Sequence, residues 1–232
     1  MDIAADVGFT DRLARSLGLL EKGLAHLGLY SQSISNPYCP GPVDGECVSP
    51  CWGGWCIPPI RMPQIDADRV ADAVRVVWPE IVQEADKLDI SASTVADLNA
   101  RIRRAAGLPD DWQFLDRPPP LSTDRDGDDS WQSFVSVMHE SAAEYPEQAV
   151  DEVGCYLIAC LAWNTHVPAL GLTTGWLLAC ALRIAQGVDV YAPDPAHLDT
   201  LLDALDGTRP GLTDAETLRA IWPHRFGRET AV

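Results

Sequence analysis

Residues 147–166, EQAVDEVGCYLIACLAWNTH, and residues 174–186, TGWLLACALRIAQ, are apolar on nearly every side of a helical wheel. Each runs well past the five or six residues of an ordinary strand, and helices without a polar face belong at the centre of a bundle. The expected fold class is therefore all-α. Residues 167–185 are also the most membrane-like stretch, yet Pro168, Gly171, Thr173, Thr174, Gly175 and Arg183 interrupt them. A span needs about 20 predominantly apolar residues, so a buried hairpin of two helices is expected and no membrane partner.

Working outward, helix-starting residues recur before each further apolar stripe. Ser130 precedes Trp131, Phe134, Val135, Met138 and Ala142, a stripe that ends at Tyr145-Pro146. Asp194-Pro195 opens a helix bearing Leu198, Leu201, Leu202 and Leu205 and stopped by Gly207, and Thr213 to Glu216 forms a capping box. On the N-terminal side, Asp66 caps a helix with Val70, Val74 and Val77 inward. Trp78-Pro79 interrupts it, so Pro79 either kinks one helix or starts the next. Ser91 or Ser93 opens another, with Val95, Leu98 and Ile102 inward and Gly107-Leu108-Pro109 as its stop. Thr10 is the expected cap of a first helix whose Leu13, Leu17, Leu20, Leu24 and Leu27 form one stripe. Strand patterning is confined to 188–191.

Residues 117–129, with Pro118-Pro119-Pro120 and the acidic run from Asp124, read as a linker. The expected organisation is an N-terminal region over 1–116, that linker, a C-terminal helical bundle over 130–223 suited to self-association or a protein partner, and a tail over 224–232.

The chain of 232 residues carries 34 acidic against 17 basic side chains, a net charge of −17, and 47% of it is hydrophobic. That apolar content supplies a core and excludes a disordered chain, and the charge repels phosphate backbones at long range. Any nucleic-acid contact has to be local. Residues 1–29 lack a basic patch followed by an unbroken apolar run, so an export signal is not expected and the cytoplasm is, or a virion if the chain is phage-derived.

Residues 31–63 change character. Seven prolines and several glycines leave no room for a regular element, while Cys39, Cys47, Cys51 and Cys56 are separated by seven, three and four positions. Four thiolates around one tetrahedral ion would close such a loop and supply folding energy that no core provides. Zinc is the expected ion; an iron–sulfur cluster takes the same ligands, and two disulfides or plain thiols are the remaining readings. Residues 51–56, CWGGWC, resemble the turn of the WhiB-like iron–sulfur regulators. In that family the turn follows the last cysteine and a Cys-x-x-Cys pair precedes it, whereas here the turn lies between cysteines and no pair is present, so no function is carried over. Cys155, Cys160 and Cys180 fall on the two apolar helices and read as packing residues.

Residues 81–100, IVQEADKLDISASTVADLNA, place Ala85 where two helices would cross, Leu88 and Ile90 around a turn, and Val95 and Leu98 on the inner side of a second helix. The segment resembles the helix-turn-helix of bacterial DNA-binding proteins, over about 20 residues, and implies a two-helix reader of DNA. Asp89 stands where that family has glycine in a left-handed turn, a conformation that aspartate tolerates. On the second helix, Ser93, Ala96, Asp97, Ala100 and Arg104 face outward, with Arg101 and Arg103 at the margins. Ser93 and Thr94 would reach phosphate or base edges, and Arg101, Arg103 and Arg104 would anchor phosphates.

Enzymatic groups are sparse. Residues 122–133 have calcium-loop spacing but serines at both end positions, His139-Glu140 lacks a second histidine, and no nucleophile elbow, phosphate-binding loop or dinucleotide fingerprint occurs. The expectation is a DNA-associated regulatory protein with a structural metal site. The alternatives are a structural or assembly protein, as in a phage or other large complex, that binds protein alone, and an iron–sulfur redox module.

Overall fold

Side chains that can cap a helix do so at most of the expected starts. Asp66 Oδ1 accepts the Asp68 N–H at 3.0 Å, Ser91 Oγ the Thr94 N–H at 3.3 Å, Ser130 Oγ the Ser133 N–H at 3.3 Å, and Asp194 Oδ1 the Ala196 N–H at 2.9 Å. Each bond satisfies a backbone donor that the helix itself leaves open. The computed structural model describes residues 6–26, 42–43, 46–47, 65–108, 130–162, 166–167 and 169–207. Its helices are α1 (Val7–His26), α2 (Ala67–Glu84), α3 (Ala92–Ala105), α4 (Trp131–Glu144), α5 (Ala149–Ala162), α6 (Gly171–Ala185) and α7 (Leu198–Gly207). The fold is all-α. Tight helical turns at Ala85–Lys87, Pro146–Gln148 and Pro195–His197 join the helices, and a short backbone pairing sets Pro42–Val43 antiparallel to Glu46–Cys47.

The start of α1 and residues 188–191 differ from the sequence expectation, while Pro79 and the glycine stops fall within it. The first helix starts ahead of Thr10, because Asp6 Oδ1 accepts the Phe9 N–H at 2.9 Å. Pro79 lies inside one continuous α2. Gly107 and Gly187 end α3 and α6 at φ +68° and +69°, the left-handed geometry a glycine stop requires. Residues 188–191 form no strand.

The centre is α5 against α6, as the apolar pair implied. Their backbones come so close that a Cβ on Gly175 would lie 2.7 Å from the Leu157 carbonyl oxygen. Trp176 is wholly buried and its indole N–H donates to the Tyr191 carbonyl at 2.9 Å. α1 packs closely on α2, and α6 also touches α1, α2 and α3. One continuous apolar cluster therefore runs from Phe9 through Trp78 and Trp176 to Leu205. The expected linker at 117–129 lies outside the described residues, and the helices before and after it share this single core.

No helix among the described residues is long and apolar enough to cross a membrane. The most membrane-like stretch instead lies within the packed centre.

Candidate nucleic-acid interface

α2, the turn after it and α3 have the helix-turn-helix order, but the turn is built differently from the expectation. Among the described residues Leu170 is the only non-glycine with positive φ, so Asp89 does not take the left-handed conformation. The chain leaves α2 through the tight turn Ala85–Lys87, passes an extended Leu88, and enters α3 at Ser91. Asp89 closes the connection with its side chain, Oδ1 accepting the Ser91 N–H at 3.0 Å and the Thr94 hydroxyl at 2.6 Å. Hydrogen bonding from the Ser91 side chain, then from the Thr94 hydroxyl and the Ser91 N–H, holds its carboxyl below the usual aspartate range. A carboxylate that accepts local donors replaces the glycine turn.

The consequence for the five expected DNA contacts is uneven. Ser93 and Arg104 are exposed, and Asp97 between them is exposed too. Thr94 spends its hydroxyl on Asp89. Arg101 is only 20% exposed and is held by Glu84 Oε2 at 3.1 Å, Asp97 Oδ2 at 3.2 Å and Glu80 Oε2 at 3.6 Å. Three carboxylates more than offset its charge, leaving that face of α2 and α3 acidic.

Arg103 is 2% exposed and points into the bundle, away from any phosphate. Its Nε donates to Asn99 Oδ1 at 2.8 Å. Asn99, also buried, donates from Nδ2 to the Ala169 carbonyl at 2.7 Å and to Thr174 Oγ1 at 2.9 Å, and the Thr174 hydroxyl donates to the Leu170 carbonyl at 2.7 Å. This chain stitches α3 onto the entry of α6, where Leu170 sits at φ 55°. The four-residue spacing of Asn99 and Arg103 was the available sequence signal, since such residues share one helical face.

The structure thus does not bring Ser93, Thr94, Arg101, Arg103 and Arg104 together on one basic surface. Ser93 and Arg104 stand eleven residues apart, about 16 Å along the helix. Arg103→Ala is expected to cost roughly 1–3 kcal/mol by leaving Asn99 Oδ1 unsatisfied in the interior, and Arg104→Ala under about 0.5 kcal/mol. Urea unfolding of the two variants checks the contrast.

Of the four cysteines, Cys47 ends the second short strand opposite Pro42. Cys39, Cys51 and Cys56 lie outside the described residues. Among the described residues no group of three or more histidine, cysteine or acidic side chains could hold a metal ion. Cys155, Cys160 and Cys180 are buried. Burial pushes the Cys180 thiol up to about 12, and it lies 3.6 Å from the Tyr191 carbonyl, a weak donor rather than a thiolate.

Other buried polar groups also act structurally. Arg183, 6% exposed, pairs with Asp151, donates to the Asp189 carbonyl and stacks over Tyr191 at 4.5 Å. His166, wholly buried, meets the rings of Trp131 and Phe134 edge-on at 5.1 and 5.0 Å. Comparison of the chain with protein-family models, with curated proteins and with solved structures returns no match.

Proposed function

We propose that the chain is a structural or assembly protein whose helical bundle binds protein partners, with Cys39, Cys47, Cys51 and Cys56 clamping a structural zinc. The observation that carries this reading is the fate of the basic residues on α3. Arg103 belongs to the core and Arg101 to three carboxylates, so the helix pair supports the bundle instead of serving a phosphate backbone. A net charge of −17 adds to the argument, because complementary potentials favour a basic protein surface as partner.

The test is isolation of the native full-length chain, followed by sizing and by retardation of random duplex DNA at low salt. A stoichiometric protein partner or a large assembly, with no DNA retardation, is the expected result. A monomer that retards DNA overturns it. The DNA-associated regulator is the second reading, favoured by the exposure of Ser93 and Arg104 on the outer face of α3. It requires retardation that Arg104→Ala weakens.

For the cysteine loop, elemental analysis with an absorption spectrum is expected to give about one zinc per chain in a colourless protein, as four thiolates imply. Chelation should then lower thermal stability. A visible absorption band instead identifies an iron–sulfur redox module, and absence of metal removes the clamp.

A further inference from the structure

α1 delivers an acidic side chain into the interior of the bundle. Glu21 is wholly buried, its Oε1 accepts the Thr173 N–H at 2.7 Å, and its Oε2 has no hydrogen-bond partner among the described residues. Thr173 lies in the first turn of α6, where backbone donors have no helical acceptor, so Glu21 caps a helix from a distance of 152 residues in sequence. The Ser16 hydroxyl, also on α1 and buried, has no hydrogen-bond partner among the described residues either.

Among the described residues, burial is the main influence on the ionisation of this carboxyl group and Thr173 the opposing one. The charged groups of the neighbouring helices lie elsewhere. Asp68, Arg69, Asp72, Arg75, Glu80 and Glu84 of α2 are exposed or half-buried, as are Asp199 and Asp203 of α7, while Cys180 and Arg183 stand seven and ten residues further along α6. On α1 itself Arg15 and Lys22 are exposed.

A buried carboxylate with one oxygen unanswered is far costlier than the neutral acid. We propose that Glu21 is a proton-controlled latch between α1 and α6: the neutral carboxyl keeps α1 seated, and ionisation loosens it from the bundle. Burial pushes the Glu21 carboxyl up to about 7 from 4.5, with the Thr173 N–H pulling the other way. The seated form keeps a proton that the released form gives up. Release is therefore favoured progressively as pH rises from the ordinary glutamate range to neutrality, and the effect levels off above it. Loosening α1 offers Leu13, Leu17, Leu20 and Leu24, buried in the seated helix, as one apolar stripe. This latch stands whether the partner is protein or DNA.

Hydrogen exchange of the α1 amides, corrected for intrinsic rates, tests the proposal on the full chain between about pH 5.5 and 8.5. Protection in the native protein is expected to fall by about 30-fold over that interval, and Glu21→Gln is expected to abolish the slope. A flat native profile, or the same slope in the variant, overturns the latch. Carbon-13 titration of the native carboxyl group decides the matter even if the variant fails to fold. A midpoint near neutrality is the expected result, and one in the ordinary glutamate range overturns the proposal.

Discussion

Asn99→Leu is expected to lower the unfolding free energy by about 2–4 kcal/mol, a fall of several degrees or more in Tm for a chain of this size. Leucine keeps the heavy-atom branching of asparagine, but its two methyl groups are bulkier than the amide oxygen and nitrogen, so overpacking adds to the cost. What is lost is a set of bonds that no solvent replaces. The Ala169 carbonyl loses its 2.7 Å donor, Thr174 loses a second contact, and Arg103 loses the oxygen that received its Nε. All of this happens where Asn99 and Arg103 are 1% and 2% exposed. Removing one member of a buried polar network leaves the rest desolvated and unpaired, which costs more than removing the whole network. The double variant Asn99→Leu with Arg103→Met is accordingly expected to recover at least about 1 kcal/mol relative to the sum of the single changes. A double-mutant cycle by urea unfolding gives the answer. If Asn99→Leu alone falls within about 0.5 kcal/mol of the native protein, α3 is not held to α6 in this way.

The second large effect lies at the α5–α6 crossing. Helix propensity taken alone makes Gly175→Ala stabilising by about 1 kcal/mol, since alanine loses less backbone freedom than glycine. The structure reverses the sign. An added Cβ would meet the Leu157 carbonyl oxygen at 2.7 Å and Ile158 Cα at 3.0 Å, and both are backbone atoms that cannot swing aside. The helices have to separate at the most buried part of the core, among Leu157, Ile158, Trp176 and Leu178. Gly175→Ala is expected to destabilise by roughly 1–3 kcal/mol and Gly175→Val by about 3 kcal/mol or more. Gly187 is the control: a Cβ there meets nothing within 4 Å, and only its φ of +69° penalises alanine, by about 1–2 kcal/mol. Thermal unfolding of the three variants separates the contributions. A stabilising Gly175→Ala would mean that the close crossing does not exist.

These two results bear on how a sequence specifies this bundle. Asp66, Ser91, Ser130 and Asp194 were readable as helix starts because a capping bond spans two or three residues and depends on nothing distant. Gly107 was readable as a stop for the same reason. The apolar helices α5 and α6 announced the core through the absence of a polar face. Asp6 was missed as the first cap because Thr10, nearer the leucine stripe, offered an equally good local motif.

The candidate site was legible only in part. The outward setting of Ser93, Asp97 and Arg104 followed from helical periodicity, and all three are exposed. Arg101 and Arg103 stood at the margins of that face, where periodicity cannot tell solvent from a neighbouring helix. α2 supplied Glu80 and Glu84 to Arg101, and within α3 Asn99 meets Arg103 where α6 closes over both.

By itself, then, the sequence determined the all-α fold class, most of the described helix ends and most residues of the core, since these depend on spacing over a few positions along one backbone. Tertiary structure alone decided that Arg103 turns inward, that Leu170 adopts a left-handed turn, and that Glu21 caps a helix 152 residues away. Each depends on which surfaces meet after folding. Arg103 is held inside by Asn99, whose own bonds reach Ala169 and Thr174, and Glu21 by the Thr173 N–H; those contacts with the entry of α6 are distant in sequence, and no local pattern encodes them.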